Sequence, residues 1–183
     1  MRCFVSVNLE EESLISRITE LQRDLAGSES GINAVSPANL HYTLRFLGEI
    51  DSETVNKTID ILDKISYRQF NVELKGVGVF PDMGMVRVIW IGSPSKELTE
   101  LAALVNSALN NIGKSEDNFL PHLTIARVKY LRDRSRLLSF ISENKNKSFG
   151  GFKVSEFDLM QSELTPKGPR YIVIKKFNLR QSV

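Results

Sequence analysis

The sequence predicts an α+β chain built from two similar halves. Three observations carry this. A four-residue pattern occurs twice, as His41-Tyr42-Thr43-Leu44 and as His122-Leu123-Thr124-Ile125, and it uses both histidines of the 183-residue chain. Segments rich in β-formers alternate with segments whose apolar residues repeat at helical spacing. The order helix, motif strand, helix, long strands recurs around each motif. An internal duplication with approximate two-fold symmetry gives that order. The rest of the halves shows little identity, so the symmetry rests on the motifs and on the order of elements.

The elements follow in order. Positions 2–9 alternate and are rich in β-formers, which predicts a strand. Positions 11–26 place Leu14, Ile15, Ile18, Leu21 and Leu25 on one helical face, and Gly27 suits a C-cap. Positions 28–39 read as a polar loop with Gly31 and Pro37. Positions 40–47 form the first motif strand, closed by Gly48. Val55, Ile59, Leu62 and Ile65 make 51–65 a second helix. Positions 70–80 and 86–91 read as two long strands. Pro81-Asp82-Met83-Gly84 between them is turn-forming, which predicts a hairpin. A third helix spans 96–112, the second motif strand 120–128, and a fourth helix, basic at its start, 132–144. The last strands are 152–161 and 171–179, on either side of Thr165-Pro166-Lys167-Gly168-Pro169.

Composition narrows the class. Hydrophobic residues are 42% and charged residues 25%, ordinary for a globular protein, and the net charge of +2 is mild. That balance permits an anionic substrate without itself arguing for nucleic acid. A single cysteine, Cys3, excludes an intramolecular disulfide and a cysteine-based metal site, and it suits a reducing compartment. The N-terminal segment lacks the apolar core of a signal peptide, and no stretch approaches the ~18 apolar residues of a membrane span. The expected location is the cytoplasm, with no membrane partner. Two distant histidines without an Asp, Glu or Cys cluster make a poor ligand set, so no metal or cofactor is expected. No G-x-x-x-x-G-K-[ST] loop is present.

The motif carries the chemistry. On a strand, residues i and i+2 share a face. His41, Thr43 and Arg45 should therefore project together, with Tyr42, Leu44 and Phe46 toward a core. His122 and Thr124 should share a face opposite Leu123 and Ile125. Histidine titrates near neutral pH, so a pair can serve as one general base and one general acid. With a phosphorus centre between them, one imidazole takes a proton from the attacking oxygen and the other gives one to the leaving oxygen. Each threonine hydroxyl can donate to a non-bridging oxygen, and a nearby arginine can neutralise developing charge. Arg45 has the parity for that role, although an exposed sheet arginine is the commoner case. Arg127 has the opposite parity to His122 and should point away unless the strand ends or bulges. Phe4, Phe46, Phe80 and Trp90 read as core rather than as a base-stacking platform. Lys129, Arg132, Arg134 and Arg136 read as a solvated helix face near the second motif.

Wider segments carry a resemblance. They are Arg2-Cys3-Phe4-Val5-Ser6-Val7, His41-Tyr42-Thr43-Leu44-Arg45-Phe46-Leu47-Gly48-Glu49, Gly78-Val79-Phe80-Pro81, Pro121-His122-Leu123-Thr124-Ile125-Ala126-Arg127 and Ser162-Glu163-Leu164-Thr165-Pro166-Lys167-Gly168-Pro169-Arg170-Tyr171. The twin motifs resemble the two-histidine phosphoesterase superfamily. The flanking segments resemble its RNA 2′,3′-cyclic phosphodiesterases, also called 2′-5′ RNA ligases, over essentially the full length. The resemblance implies a single bilobal domain over 1–183, with two pseudo-symmetric antiparallel sheets flanked by helices around a central cleft. It implies metal-free opening of a 2′,3′-cyclic phosphate to a 2′-phosphate, and reversal to join RNA ends through a 2′-5′ bond. His41 would be the proton donor to the departing 3′ oxygen and His122 the proton acceptor that activates water. Thr43, Thr124 and Arg127 would hold the phosphate. The implied partner is RNA with a 2′,3′-cyclic phosphate end, such as tRNA halves, acted on by a monomer. The rival readings are a phosphoesterase for a small cyclic nucleotide and a non-catalytic RNA-end-binding module.

Overall fold

A computed structural model describes residues 1–27, 31–113, 119–166 and 168–181. Ten strands and four helices follow one another in the order β1 (Arg2–Asn8), α1 (Glu12–Ala26), β2 (Ile32–Ala34), β3 (His41–Glu49), α2 (Ser52–Leu62), β4 (Phe70–Lys75), β5 (Val77–Asp82), β6 (Met85–Gly92), α3 (Lys96–Ala108), β7 (His122–Val128), α4 (Arg134–Asn144), β8 (Ser148–Val154), β9 (Glu156–Thr165) and β10 (Gly168–Asn178). The α+β expectation holds. One antiparallel sheet has the order β10-β9-β1-β3 and a second the order β2-β7-β6-β5, with β4 and β8 as a separate pair. The first motif strand is therefore an edge of its sheet, and the second is internal.

Local signals start and stop the helices. The Asp51 carboxylate accepts from the Thr54 N–H at 2.8 Å, the Ser95 hydroxyl from the Leu98 N–H at 3.1 Å, and the Asp133 carboxylate from the Ser135 and Arg136 N–H groups. Gly27 closes α1 at φ +45°, its N–H bonded to the Arg23 carbonyl. The apolar stripes read from sequence face inward: Leu14, Ile18, Leu21 and Leu25 on α1, and Val55 and Leu62 on α2, are all buried.

Several boundaries differ from the sequence reading. The long strand expected over 70–80 is two strands broken at Gly76, whose φ of +74° turns β4 toward β8 and β5 toward β6. The hairpin with β6 is as expected. The expected loop contains the short strand β2 and a 3₁₀ turn over Pro37–Asn39, while its positions 28–30 lie outside the described residues. The expected strand at 152–161 is two strands, and Gly150 and Gly151 hid the first of them, β8. Helix α3 stops at Ala108, and a turn follows it. Lys167, in the expected terminal turn, also lies outside the described residues.

Sheets and sequence halves interleave. The first sheet takes β1 and β3 from the start of the chain and β9 and β10 from its end; the second takes β2 from between β1 and β3, and β5, β6 and β7 from the middle. Helix α1 packs on β2 and β7 of the second sheet, α3 packs on β3 of the first, and β3 lies against β7. The helix that precedes each motif strand thus backs the other motif strand. Tyr42, Leu44, Leu123 and Ile125 lie fully buried in the single core that results.

Candidate active site

Strict alternation fails at matching residues of the two motif strands, and that failure shapes the site. Against β1, the pairing steps from Arg45–Val5 to Thr43–Ser6, so Leu44 has no partner. Against β6, it steps from Ala126–Ile89 to Thr124–Trp90, so Ile125 has none. Each is a β-bulge, which reverses the facing of the residues that follow it, Arg45 and Phe46 in the first strand before a second shift at Leu47, and Ala126 and Arg127 in the second. The same burial pattern results in 41–47 and 122–128: histidine and threonine half-buried, the next two residues buried, the sixth exposed.

The bulges reassign two arginines. Arg45 turns to the back of its sheet and is fully buried. Its Nε and Nη2 donate to the Ile112 carbonyl at 3.0 and 2.7 Å, Nη2 to the Leu109 carbonyl at 2.8 Å, and Nη1 to Asn106 Oδ1 at 2.8 Å. It caps the end of α3 and is neither a phosphate ligand nor an exposed sheet arginine. Arg127 turns to the histidine face, where its charge acts on His41. Its counterpart in the first strand is Phe46, 54% exposed beside the same face. Side-chain amides from the exchanged helices hold the bulges open. Gln22 on α1 donates to the Ile125 carbonyl at 2.8 Å, and Asn106 on α3 donates to the Leu44 carbonyl at 2.9 Å.

Both imidazoles are oriented alike. His41 Nδ1 lies 2.7 Å from the Asn39 carbonyl, and His122 Nδ1 lies 2.8 Å from the Leu120 carbonyl. A carbonyl oxygen only accepts, so Nδ1 carries the hydrogen in both rings. Nε2 is left to take or give a proton. In the neutral tautomer His41 Nε2 accepts from the Thr43 hydroxyl at 3.0 Å. Burial lowers the pKa of His41 most, and the charges of Arg127 and His122 lower it further, against the Asn39 carbonyl. Asn8, paired with His41 across the strands, donates to the buried Asp158 at 2.6 Å, and burial pushes that carboxyl up to about 6.

Aromatic rings wall each histidine. Tyr171 stands perpendicular to His41 at 5.2 Å, and Phe4 lies 5.1 Å from it. Phe80 stands perpendicular to His122 at 4.9 Å, with Trp90 at 6.3 Å. Of the four rings expected in the core, only Phe4 is buried; Phe80 and Trp90 instead line the second histidine. Tyr171 belongs to the terminal segment that carries the family resemblance, but nothing local in the sequence placed it on His41. Among the described residues no group of three His, Cys, Asp or Glu side chains gathers at one point.

Two antiparallel sheets presenting paired His-x-Thr strands define a two-histidine phosphoesterase. Residues 2–179 match the model of the AKAP7 2′-5′ RNA ligase-like domain. An Archaeoglobus fulgidus protein named RNA 2′,3′-cyclic phosphodiesterase is 38% identical over 97% of this chain and 99% of its own. A Methanocaldococcus jannaschii protein of the same name is 35% identical over 97% and 100%. A crystal structure of a Thermus thermophilus protein superposes with a TM-score of 0.85 at 30% identity, covering 100% of both chains. Escherichia coli LigT in complex with 3′-AMP gives 0.77 at 25% identity over 98% of each. The chain belongs to the 2′-5′ RNA ligase-like family of two-histidine phosphoesterases.

Proposed function

We propose that the chain opens the 2′,3′-cyclic phosphate at the end of an RNA to a 2′-phosphate by metal-free acid–base catalysis. The observation that carries this is the matched presentation of His41 and His122. Each has Nδ1 tied to the carbonyl two residues earlier, and they are close enough for the charge of one to act on the other. His122 Nε2 takes a proton from water as its oxygen attacks phosphorus. The bond to the 3′ oxygen breaks, and His41 Nε2 delivers a proton to that oxygen. Thr43 and Thr124 donate to the non-bridging oxygens, and Arg127 offsets the charge that builds on them. The exposed ring of Phe46 offers the terminal base a flat surface.

The same displacement runs with a 5′-hydroxyl in place of water: its oxygen attacks phosphorus as His122 takes its proton, the bond to the 3′ oxygen breaks as His41 protonates it, and two RNA ends are joined through a 2′-5′ bond. We read residues 1–183 as one bilobal catalytic unit of two pseudo-repeated halves, working as a monomer on cleaved RNAs such as tRNA halves. A single cysteine, buried, suits the reducing cytoplasm. No described helix is long and apolar enough to cross a membrane.

The test is turnover of cytidine 2′,3′-cyclic phosphate in the presence of EDTA, followed by phosphorus NMR. The 2′-phosphate should accumulate as the sole product. A 3′-phosphate product, no turnover, or activity that vanishes with chelator and returns with a divalent ion contradicts the reading.

A further inference from the structure

Beyond the second motif the chain turns basic, and the fold gathers that charge in one place. Lys129 follows the last residue of β7 and keeps to the ladder, its N–H donating to the Gly31 carbonyl at 2.8 Å. Arg87, exposed on β6, reaches across to donate to the Lys129 carbonyl at 3.4 Å. Arg134, which opens α4, donates to the Met83 and Gly84 carbonyls in the β5–β6 turn. With Tyr130 and Met85, which are 50% and 54% exposed, these cations line a groove of about 150 Å³. Among the described residues none of the three cations pairs with a carboxylate. The carboxylates nearest in sequence, Asp82 and Asp133, each accept from two backbone N–H groups.

We infer that this groove holds the RNA strand some nucleotides on the 5′ side of the cyclic phosphate. The inference rests on the RNA-end reading above and adds where on the surface the strand leading to that end lies. Three cations around a floor of aromatic and thioether surface complement a polyanion that carries flat bases. Arg127 lies between the groove and His122, exposed on the same strand. From His122 to Lys129 the strand advances about 20 Å. A stacked strand advances about 3.4 Å per phosphate, so roughly six nucleotides span that distance. A mononucleotide held at the histidines leaves the groove empty.

The experiment compares wild type with the double variant Arg87→Ala, Lys129→Ala. Both side chains are exposed, and Arg134 is kept because it anchors the hairpin turn. Binding of a fluorescein-labelled octaribonucleotide with a 3′-phosphate is followed by anisotropy across a salt series. The variant should bind about tenfold more weakly, and two lost phosphate contacts should flatten the log–log salt slope by about 1.4. Its kcat/KM on cytidine 2′,3′-cyclic phosphate should stay within about twofold of wild type. Unchanged octamer affinity overturns the inference. So does an equal loss on the mononucleotide, which would place these residues at the histidine site. Lost binding to phosphatidylserine-containing vesicles with unchanged RNA binding would assign the groove to a membrane surface and overturn it too. Absence of cyclic-nucleotide turnover in wild type would instead defeat the catalytic reading, and the anisotropy comparison would still judge the groove.

Discussion

Burial holds His41 below the usual imidazole range, and the charges of Arg127 and His122 add to it, so the free protein favours the neutral ring. In the proposed mechanism His41 is the proton donor and must begin protonated, so a bound phosphodiester anion has to supply the missing counter-charge. The sign follows from linkage. Below its lowered pKa His41 is already cationic and receives the anion directly. Above it, binding must first take up a proton, and affinity falls as pH rises. With two histidines in the chain, two imidazole signals suffice to follow this by NMR. Saturating inorganic phosphate should move the His41 midpoint upward, and phosphate affinity should drop by up to about tenfold per pH unit above the free-site midpoint. A midpoint that stays put or falls would remove the substrate-charged acid from the account. The edge-on contacts of Tyr171 and Phe80 hold the rings for this exchange, each worth about 0.5–1.5 kcal/mol.

At the scale of elements, the β-bulge decides which side chains share the histidine face. Gln22 sustains the second bulge: its amide satisfies both the Ile125 and Val35 carbonyls at 2.8 Å. Replacing it with leucine takes that donor from the Val35 carbonyl, while the Ile125 carbonyl keeps the Val35 N–H at 2.9 Å, and should cost about 1–3 kcal/mol in urea unfolding. Because the bulge aims Arg127, Gln22→Leu should also weaken phosphate binding several-fold. Arg127→Ala should weaken binding at little cost in stability. Full stability together with full phosphate affinity in Gln22→Leu would show that the amide does not hold the bulge. The sequence could not reveal this device. Leu44 and Ile125 look like ordinary strand residues, and the amides that mark them sit on helices remote in sequence. Parity counting therefore assigned Arg45 and Phe46 to the wrong faces and left Arg127 pointing away, while the family resemblance placed it on the phosphate. His41, Thr43, His122 and Thr124 were legible because they precede the irregularity in each strand. The same silence hid β8, whose paired glycines carry no strand signal, and joined β4 to β5 across Gly76.

At the scale of the whole molecule, the fold brings the two motif strands together by exchange. Each motif's preceding helix backs the other strand, so the halves cannot separate without baring Leu44, Ile125 and the core around them. The exchange was not readable in the sequence, since helical periodicity shows which face is apolar and not which sheet covers it. In the proposed mechanism this assembly lets two imidazoles with matched anchors serve one phosphorus. The most direct test gives each histidine variant two substrates: cytidine 2′,3′-cyclic phosphate, whose alkoxide leaving group needs a proton, and a p-nitrophenyl phosphodiester, whose leaving group does not. His41→Ala should lose about 10²–10⁴ in kcat/KM on the cyclic nucleotide and regain most of it on the activated diester. His122→Ala should lose a similar factor on both, because water still lacks its base. Equal rescue of both variants, or rescue of His122→Ala alone, would contradict the paired assignment.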